Sequence, residues 1–210
     1  NTAIGSKCME DNLTASNNTA VGFEALADTT SGGGANTAVG KRALKSTTTA
    51  SANTAVGYHA LEEATTGGSN TALGYLAATA ITTGNSNVAI GGGAMSSATS
   101  DDRAVAVGIN ALATMNNTII EDNYNIGIGY QAGFSVTNGY WNTLVGGQAG
   151  LNLTTGHNNL FLGKDAGITG SPGGNFTTQS EQIVLGDHDI SAAHIQVDWT
   201  VASDQRDKTD

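Results

Sequence analysis

The 210-residue chain carries eight Lys and Arg against 18 Asp and Glu, a formal net charge of −10, with only 5% aromatic and 12% charged residues. That balance argues against nucleic acid as a partner and mildly against anionic polysaccharide, and it leaves little bulky material for a globular core, since charged residues usually make up ~25%. The single Cys8 rules out an internal disulfide and reads as a small packed side chain, and neither a membrane-spanning apolar run nor a signal-peptide pattern occurs.

The first elements are five near-identical pentapeptides at residues 1–5, 18–22, 36–40, 53–57 and 70–74, each Asn-Thr-Ala followed by Ile, Val or Leu and then Gly. Drifting copies continue, and the closing glycine falls at Gly5, Gly22, Gly40, Gly57, Gly74, Gly91, Gly108, Gly129, Gly146, Gly163 and Gly186. Most steps are 17 residues, one is 18, and two are longer, from 108 to 129 and from 163 to 186. Units this short cannot bury a core alone and must stack on their neighbours. Each pentapeptide alternates with period two and predicts a short strand. Helix fits poorly, because a glycine in every unit would cost about 1 kcal/mol each in a helix interior.

After each glycine come two variable positions and a small apolar pair, Ala25-Leu26, Ala43-Leu44 and Ala60-Leu61 in early units, but Ala132-Gly133, Ala149-Gly150 and Ala166-Gly167 later. Thr, Ser, Gly and Asn tracts between the units read as turns. The strand alternation puts Thr19 and Val21 on one face and Asn18, Ala20 and Gly22 on the other. Val88 in place of Thr in the sixth unit points to the Thr/Val face as the inner one. The Ala face would then be free to receive a closely packed partner, another copy of the chain.

The predicted fold class is therefore all-β: a parallel β-roll or β-helix solenoid of about eleven ~17-residue coils, homotrimeric, with closed symmetry removing exposed edges. At ~4.8 Å per coil the rod is about 50 Å long. The shaft spans residues 1–186 and a C-terminal cap spans 187–202. The chain opens in mid-repeat at Asn1, as expected of a piece of a longer fibre.

Turns can vary without breaking the ladder, so receptor contacts are expected there. The candidates are the insertions 114–124 and 169–180 and the cluster Phe134, Asn138, Tyr140 and Trp141, where flat rings beside amides suit sugar C–H faces and hydroxyls. Coverage of a coil edge is the competing structural reading of these aromatics. Tyr58, Tyr75 and Tyr130 all follow the motif glycine and read as a structural stripe. His188 and His194 would each stand three times around a trimer axis and could ring a metal; isolated turn histidines are commoner, and no metal or cofactor is assigned. The pairs Glu62-Glu63, Asp101-Asp102 and Glu121-Asp122 read as solvated turn residues rather than glycosidase acids.

The Asn87-Val88-Ala89-Ile90-Gly91 unit, and the repeat generally, resembles the head repeats of trimeric autotransporter adhesins, which form a left-handed parallel β-roll. The coil here is longer and Thr usually replaces the first Val. At the C-terminus, Ser203-Asp204-Gln205-Arg206-Asp207-Lys208-Thr209-Asp210 resembles the junction where phage tail fibres and endosialidase tailspikes pass into an intramolecular chaperone. That resemblance implies Ser203 as nucleophile, Lys208 as general base and Ala202–Ser203 as the scissile bond, in the full-length precursor only. Residues 203–210 would begin the cleavable domain. A Lys can serve such a Ser only when burial or nearby charge lowers its pKa; here the chain ends two residues after Lys208, so no cleavage is expected from it alone.

The expected function is that of a tail-fibre or tailspike segment carried on the virion: a trimeric shaft recognising a bacterial surface glycan or outer-surface protein, with no enzymatic activity of its own, no nucleic-acid partner and no membrane insertion. An adhesin head is the alternative. Ice binding by the row Thr2, Thr19, Thr37, Thr54, Thr71 and Thr143 is a third, disfavoured while those hydroxyls are taken to face inward.

Overall fold

The computed structural model describes residues 1–118, 122–192 and 194. Among them lie eleven three-residue strands: β1 (Thr2–Ile4), β2 (Thr19–Val21), β3 (Thr37–Val39), β4 (Thr54–Val56), β5 (Thr71–Leu73), β6 (Val88–Ile90), β7 (Val105–Val107), β8 (Ile126–Ile128), β9 (Thr143–Val145), β10 (Leu160–Leu162) and β11 (Ile183–Leu185). They form one parallel sheet in chain order, with like position paired to like, for example Thr19 with Thr37 and Ala20 with Ala38. The predicted solenoid is therefore present, with one strand per coil. The rest of each coil is turn, and no described residue is helical.

The inner face is the opposite of the expected one. Ala20, Ala38, Ala55, Ala72, Ala89 and Ala106, at the strand centres, are fully buried, whereas the flanking Thr and Val positions reach solvent. The reason is the width of the coil. Inside, most of these Ala side chains belong to one cluster with a buried Leu or Met of the turn (Leu26, Leu44, Leu61, Met95, Leu112), the coil of Ala72 having Ala78 and Ile81 instead, and that filling leaves no room for a branched residue at the strand centre. The Ala face accordingly packs against its own coil and is not available to another chain.

Core volume is balanced within the units of β9 and β10. Where the strand centre enlarges to Leu144 or Phe161, the turn residue shrinks to glycine. A Cβ on Gly150 would lie 2.9 Å from Leu144 Cδ2, and one on Gly167 would lie 2.5 Å from the Phe161 ring. The change from Ala-Leu to Ala-Gly in the later units is thus steric compensation, as close packing demands.

The motif glycine makes the corner after each strand. Gly57 has φ +143°, and a Cβ there would stand 2.2 Å from the Gly74 carbonyl oxygen of the next coil. Beyond the corner the backbone alternates in hand. In the coil of β2, Asn17, Glu24 and Leu26 have φ between 50° and 61°, a region that costs a non-glycine residue about 1–2 kcal/mol. The hydrogen bonds explain the choice. Glu24 N–H donates to Ser6 O of the preceding coil, and Leu26 N–H donates to Ala43 O of the following one. Left-handed residues turn their donors along the rod, so the turns stack by a ladder of their own.

A third ladder runs through the interior. Asn18, Asn36, Asn53, Asn70, Asn87, Asn142 and Asn159 are buried. The Asn36 Oδ1 accepts from the Asn53 backbone N–H at 2.9 Å, while its Nδ2 donates across the coil to Ala50 O at 2.9 Å.

Replacing Gly57 by Ala is expected to cost about 2–5 kcal/mol, from backbone strain plus overpacking. Gly92→Ala should change stability by less than about 0.5 kcal/mol, because its Cβ would meet only Tyr75 O at 3.8 Å. Denaturant unfolding followed by circular dichroism checks the pair, and equal midpoints would mean the coils do not approach this closely.

Candidate functional site

Two rows of the sheet face outward. One holds Thr2, Thr19, Thr37, Thr54 and Thr71, continues with Val88, Val105 and Ile126, and ends at Thr143, Leu160 and Ile183. The other runs Ile4, Val21, Val39, Val56, Leu73, Ile90, Val107, Ile128, Val145, Leu162 and Leu185, with Leu73 48% and Leu185 46% exposed. A further exposed row lies beyond the glycine corner at Phe23, Tyr58, Tyr75, Ile109 and Tyr130. In it Tyr58 stacks on Tyr75 at 5.3 Å, and Lys41 Nζ lies 5.5 Å from the Tyr58 ring centre. Around Gly92 this row opens into a notch of about 400 Å³ lined by Tyr75 and Ile109.

The position one residue before each ladder Asn, or before Gln182 in the last coil, forms another outward row, with left-handed backbone at Tyr124, Trp141, Asn158 and Glu181. Bulky residues rarely adopt this conformation. Here the axial ladder holds it, with Trp141 N–H donating to Asn123 O, Asn158 N–H to Tyr140 O and Glu181 N–H to His157 O. Trp141, Thr143, Asn158, Asn159, Leu160, Glu181 and Ile183 line a hollow of about 500 Å³.

Of the four receptor candidates, Tyr140 and Trp141 come together edge to face at 5.0 Å. Tyr140 also stacks on His157 at 4.7 Å, and the His157 Nδ1 is 2.9 Å from Ser180 Oγ. Among the described residues Phe134 makes no ring contact with them. Asn138 is used internally, its Oδ1 accepting from Thr118 N–H at 3.2 Å and its carbonyl from Asn117 Nδ2 at 3.1 Å. Asn158, Thr143 and Glu181 join Trp141 instead. The repeat register aligns Trp141 with Asn158 and Glu181, and that signal was available in the spacing.

The insertion 169–180 is anchored rather than free. Its Phe176 is buried against Phe161, ring centres 5.2 Å apart, and Ser171 Oγ accepts from Gly167 N–H. The insertion 114–124 lies partly outside the described residues. His188 is exposed, its Nε2 3.2 Å from Asp189 Oδ1, and the potential ligand atoms of Asp187, His188 and Asp189 lie within 4.8 Å of one another. His194 is exposed and belongs to no such group among the described residues. Ala202, Ser203 and Lys208 fall outside the described residues.

Two carboxylates depart from the solvated-turn expectation. Glu62 is bound by Arg42 at 3.2 Å and by His59, and Arg42 also reaches Glu24 of the preceding coil at 2.8 Å. That bond to Arg42 holds the Glu24 carboxyl below its usual range. Asp101 is fully buried. Its Oδ1 accepts from Asn117 N–H at 3.0 Å and Asn123 Nδ2 at 2.7 Å, while Oδ2 has no hydrogen-bond partner among the described residues. Burial pushes its pKa above the ordinary 3.8, against the lowering effect of those hydrogen bonds.

Among the described residues no helix is long and apolar enough to cross a membrane. No protein-family model, curated protein or solved structure matches the chain.

A raised folded pKa means that the Asp101 contribution to stability is complete below the unfolded value and is lost as pH rises through the folded one. Thermal melts should therefore show the wild type losing stability relative to Asp101→Asn as pH rises from about 4 toward neutrality. Parallel pH profiles for the two proteins would contradict the buried, half-satisfied carboxylate.

Proposed function

We propose that the chain is a shaft segment of a trimeric phage tail fibre or tailspike, carried on the virion, which presents its turns to a bacterial surface glycan or outer-surface protein. The observation that carries this reading is the uninterrupted parallel ladder with a continuous apolar row, Ile4 to Leu185, on its outer face. A rod of this kind has length, repetition and one face that water solvates poorly.

The association face differs from the Ala flank first expected. The strand-plus-margin ribbon is roughly 20 Å wide and 50 Å long, on the order of 1,000 Å². Stable interfaces need about 800 Å² per partner, and exposed apolar patches above a few hundred Å² mark interaction sites. Closed three-fold packing around the Val row would cover it without leaving a growing edge. The string Ser203 to Lys208 supports the fibre reading over the adhesin one through its likeness to a chaperone junction, at which the precursor would trim itself before Ser203.

Light scattering on the purified chain should give three times 21.1 kDa. Val56→Lys with Leu73→Lys should yield a monomer that keeps its β circular dichroism. Labelled trimer should stain host bacteria. A wild type that is monomeric at high micromolar concentration, or that stains no bacterial surface, would remove this function.

A second reading rests on one finding: the Thr hydroxyls of five consecutive coils point outward at ~4.8 Å spacing, the condition that ice binding requires. The fibre reading expects no effect on ice recrystallisation. Inhibition by the wild type that disappears in Thr37→Lys with Thr54→Lys would transfer the function to ice.

A further inference from the structure

The Trp141 hollow has the parts of a saccharide site, and we infer that it binds a neutral or amino-bearing pyranose. This inference rests on the host-recognition reading and assigns it a place and a ligand chemistry. Trp141 is 51% exposed, and its indole offers a flat apolar surface to the C–H face of a sugar ring. Coils rise ~4.8 Å each, so Trp141, Asn158 and Glu181 span about 10 Å, the reach of one or two pyranose units.

Polar groups stand on the same wall and are uncommitted. Among the described residues the side chains of Thr143, Asn158 and Glu181 make no internal hydrogen bond or ion pair, although their backbones are fixed by the axial ladder. They offer a hydroxyl, an amide that both donates and accepts, and a carboxylate that only accepts. That set complements sugar hydroxyls, and the carboxylate suits a protonated amine. It repels a sialic acid, a uronic acid or a phosphorylated sugar, as does the net charge of −10.

The site is also held ready. Tyr140 packs edge-on against Trp141 and is itself stacked on His157, whose Nδ1 shares a hydrogen bond with Ser180. A fixed ring loses little freedom on binding, which raises affinity for a small ligand. The hollow is lined by Thr143, Leu160 and Ile183 of the first outward row and by the sheet margin beyond it, and none of its lining residues belongs to the Val row.

Saturation-transfer NMR on the whole chain tests the assignment, with methyl glycosides of glucose, galactose, mannose and N-acetylglucosamine, with glucosamine, and with sialic acid as the acidic control. At least one neutral or amino sugar should give a signal, and sialic acid none. Trp141→Ala should weaken binding at least tenfold, Glu181→Gln should weaken glucosamine alone, and Phe134→Ala should change nothing. Absence of any signal at tens of millimolar, a preference for sialic acid, or a signal unaffected by Trp141→Ala would overturn the inference. Sugar binding without cell staining leaves the site standing and removes the fibre function. Staining without Trp141-dependent sugar binding does the reverse.

Discussion

The buried asparagine is the interaction on which the stack depends. Its carbonyl oxygen takes a backbone N–H from the next coil, and its amide nitrogen reaches across its own coil to a turn carbonyl, as in Asn70 with Asn87 N–H and Gly84 O. One side chain thus sets both the pitch of the rod and the closure of each winding. Both bonds lie in the dry interior, where an unmet partner costs about 1–3 kcal/mol. No apolar residue of similar size could do this work. Where the ladder lapses at Ala104, the protein repairs it locally. Asn123 Oδ1 accepts from Asn125 N–H, and Asp101 in turn accepts from Asn123. The extra residues of the 108-to-129 step and the burial of Asp101 are two sides of that repair.

Around the ladder the core is built from complementary sizes. Where the strand centre faces the turn that follows the corner, there is room for one large side chain, which can come from the turn, as Leu44 does, or from the strand, as Phe161 does. The glycines at 150 and 167 are the spaces those choices leave, and Gly127 and Gly133 together make room for Leu112 and Leu144 of the adjoining coils. Left-handed residues at three places per coil store strain that a single winding could not bear. Their N–H groups are satisfied only by neighbouring coils, so stability grows by addition of coils in the manner of other solenoids.

The same economy shapes the surface. A three-residue strand turns one side chain inward and two outward, and the outward two are Thr or aliphatic throughout. The rod is therefore left with an apolar row that reaches solvent among the described residues. At the C-terminal end the row before the asparagines changes from small residues (Ala35, Ala52, Ser69) to Tyr124 and Trp141. A position that elsewhere only closes the turn there becomes a projecting ring.

The sequence by itself determined the repeat length, the strand in every unit, the parallel stacking and the demand for glycine at each corner, because all of these follow from local pattern and register. It announced an alternating pair of faces at Thr19-Ala20-Val21 but could not say which one turned inward. Hydrophobicity favoured Val; the narrow coil favoured Ala, and only the assembled cross-section carries that constraint. Neither could it reveal that Asp101 is buried or that Phe176 returns to the core, whereas the repeat register did carry the alignment of Trp141 with Asn158 and Glu181. Those two burials arise from contacts across and between coils, where steric room and hydrogen-bond supply are decided by neighbours distant in sequence, as Phe176 is from Phe161 and Asn123 from Asp101.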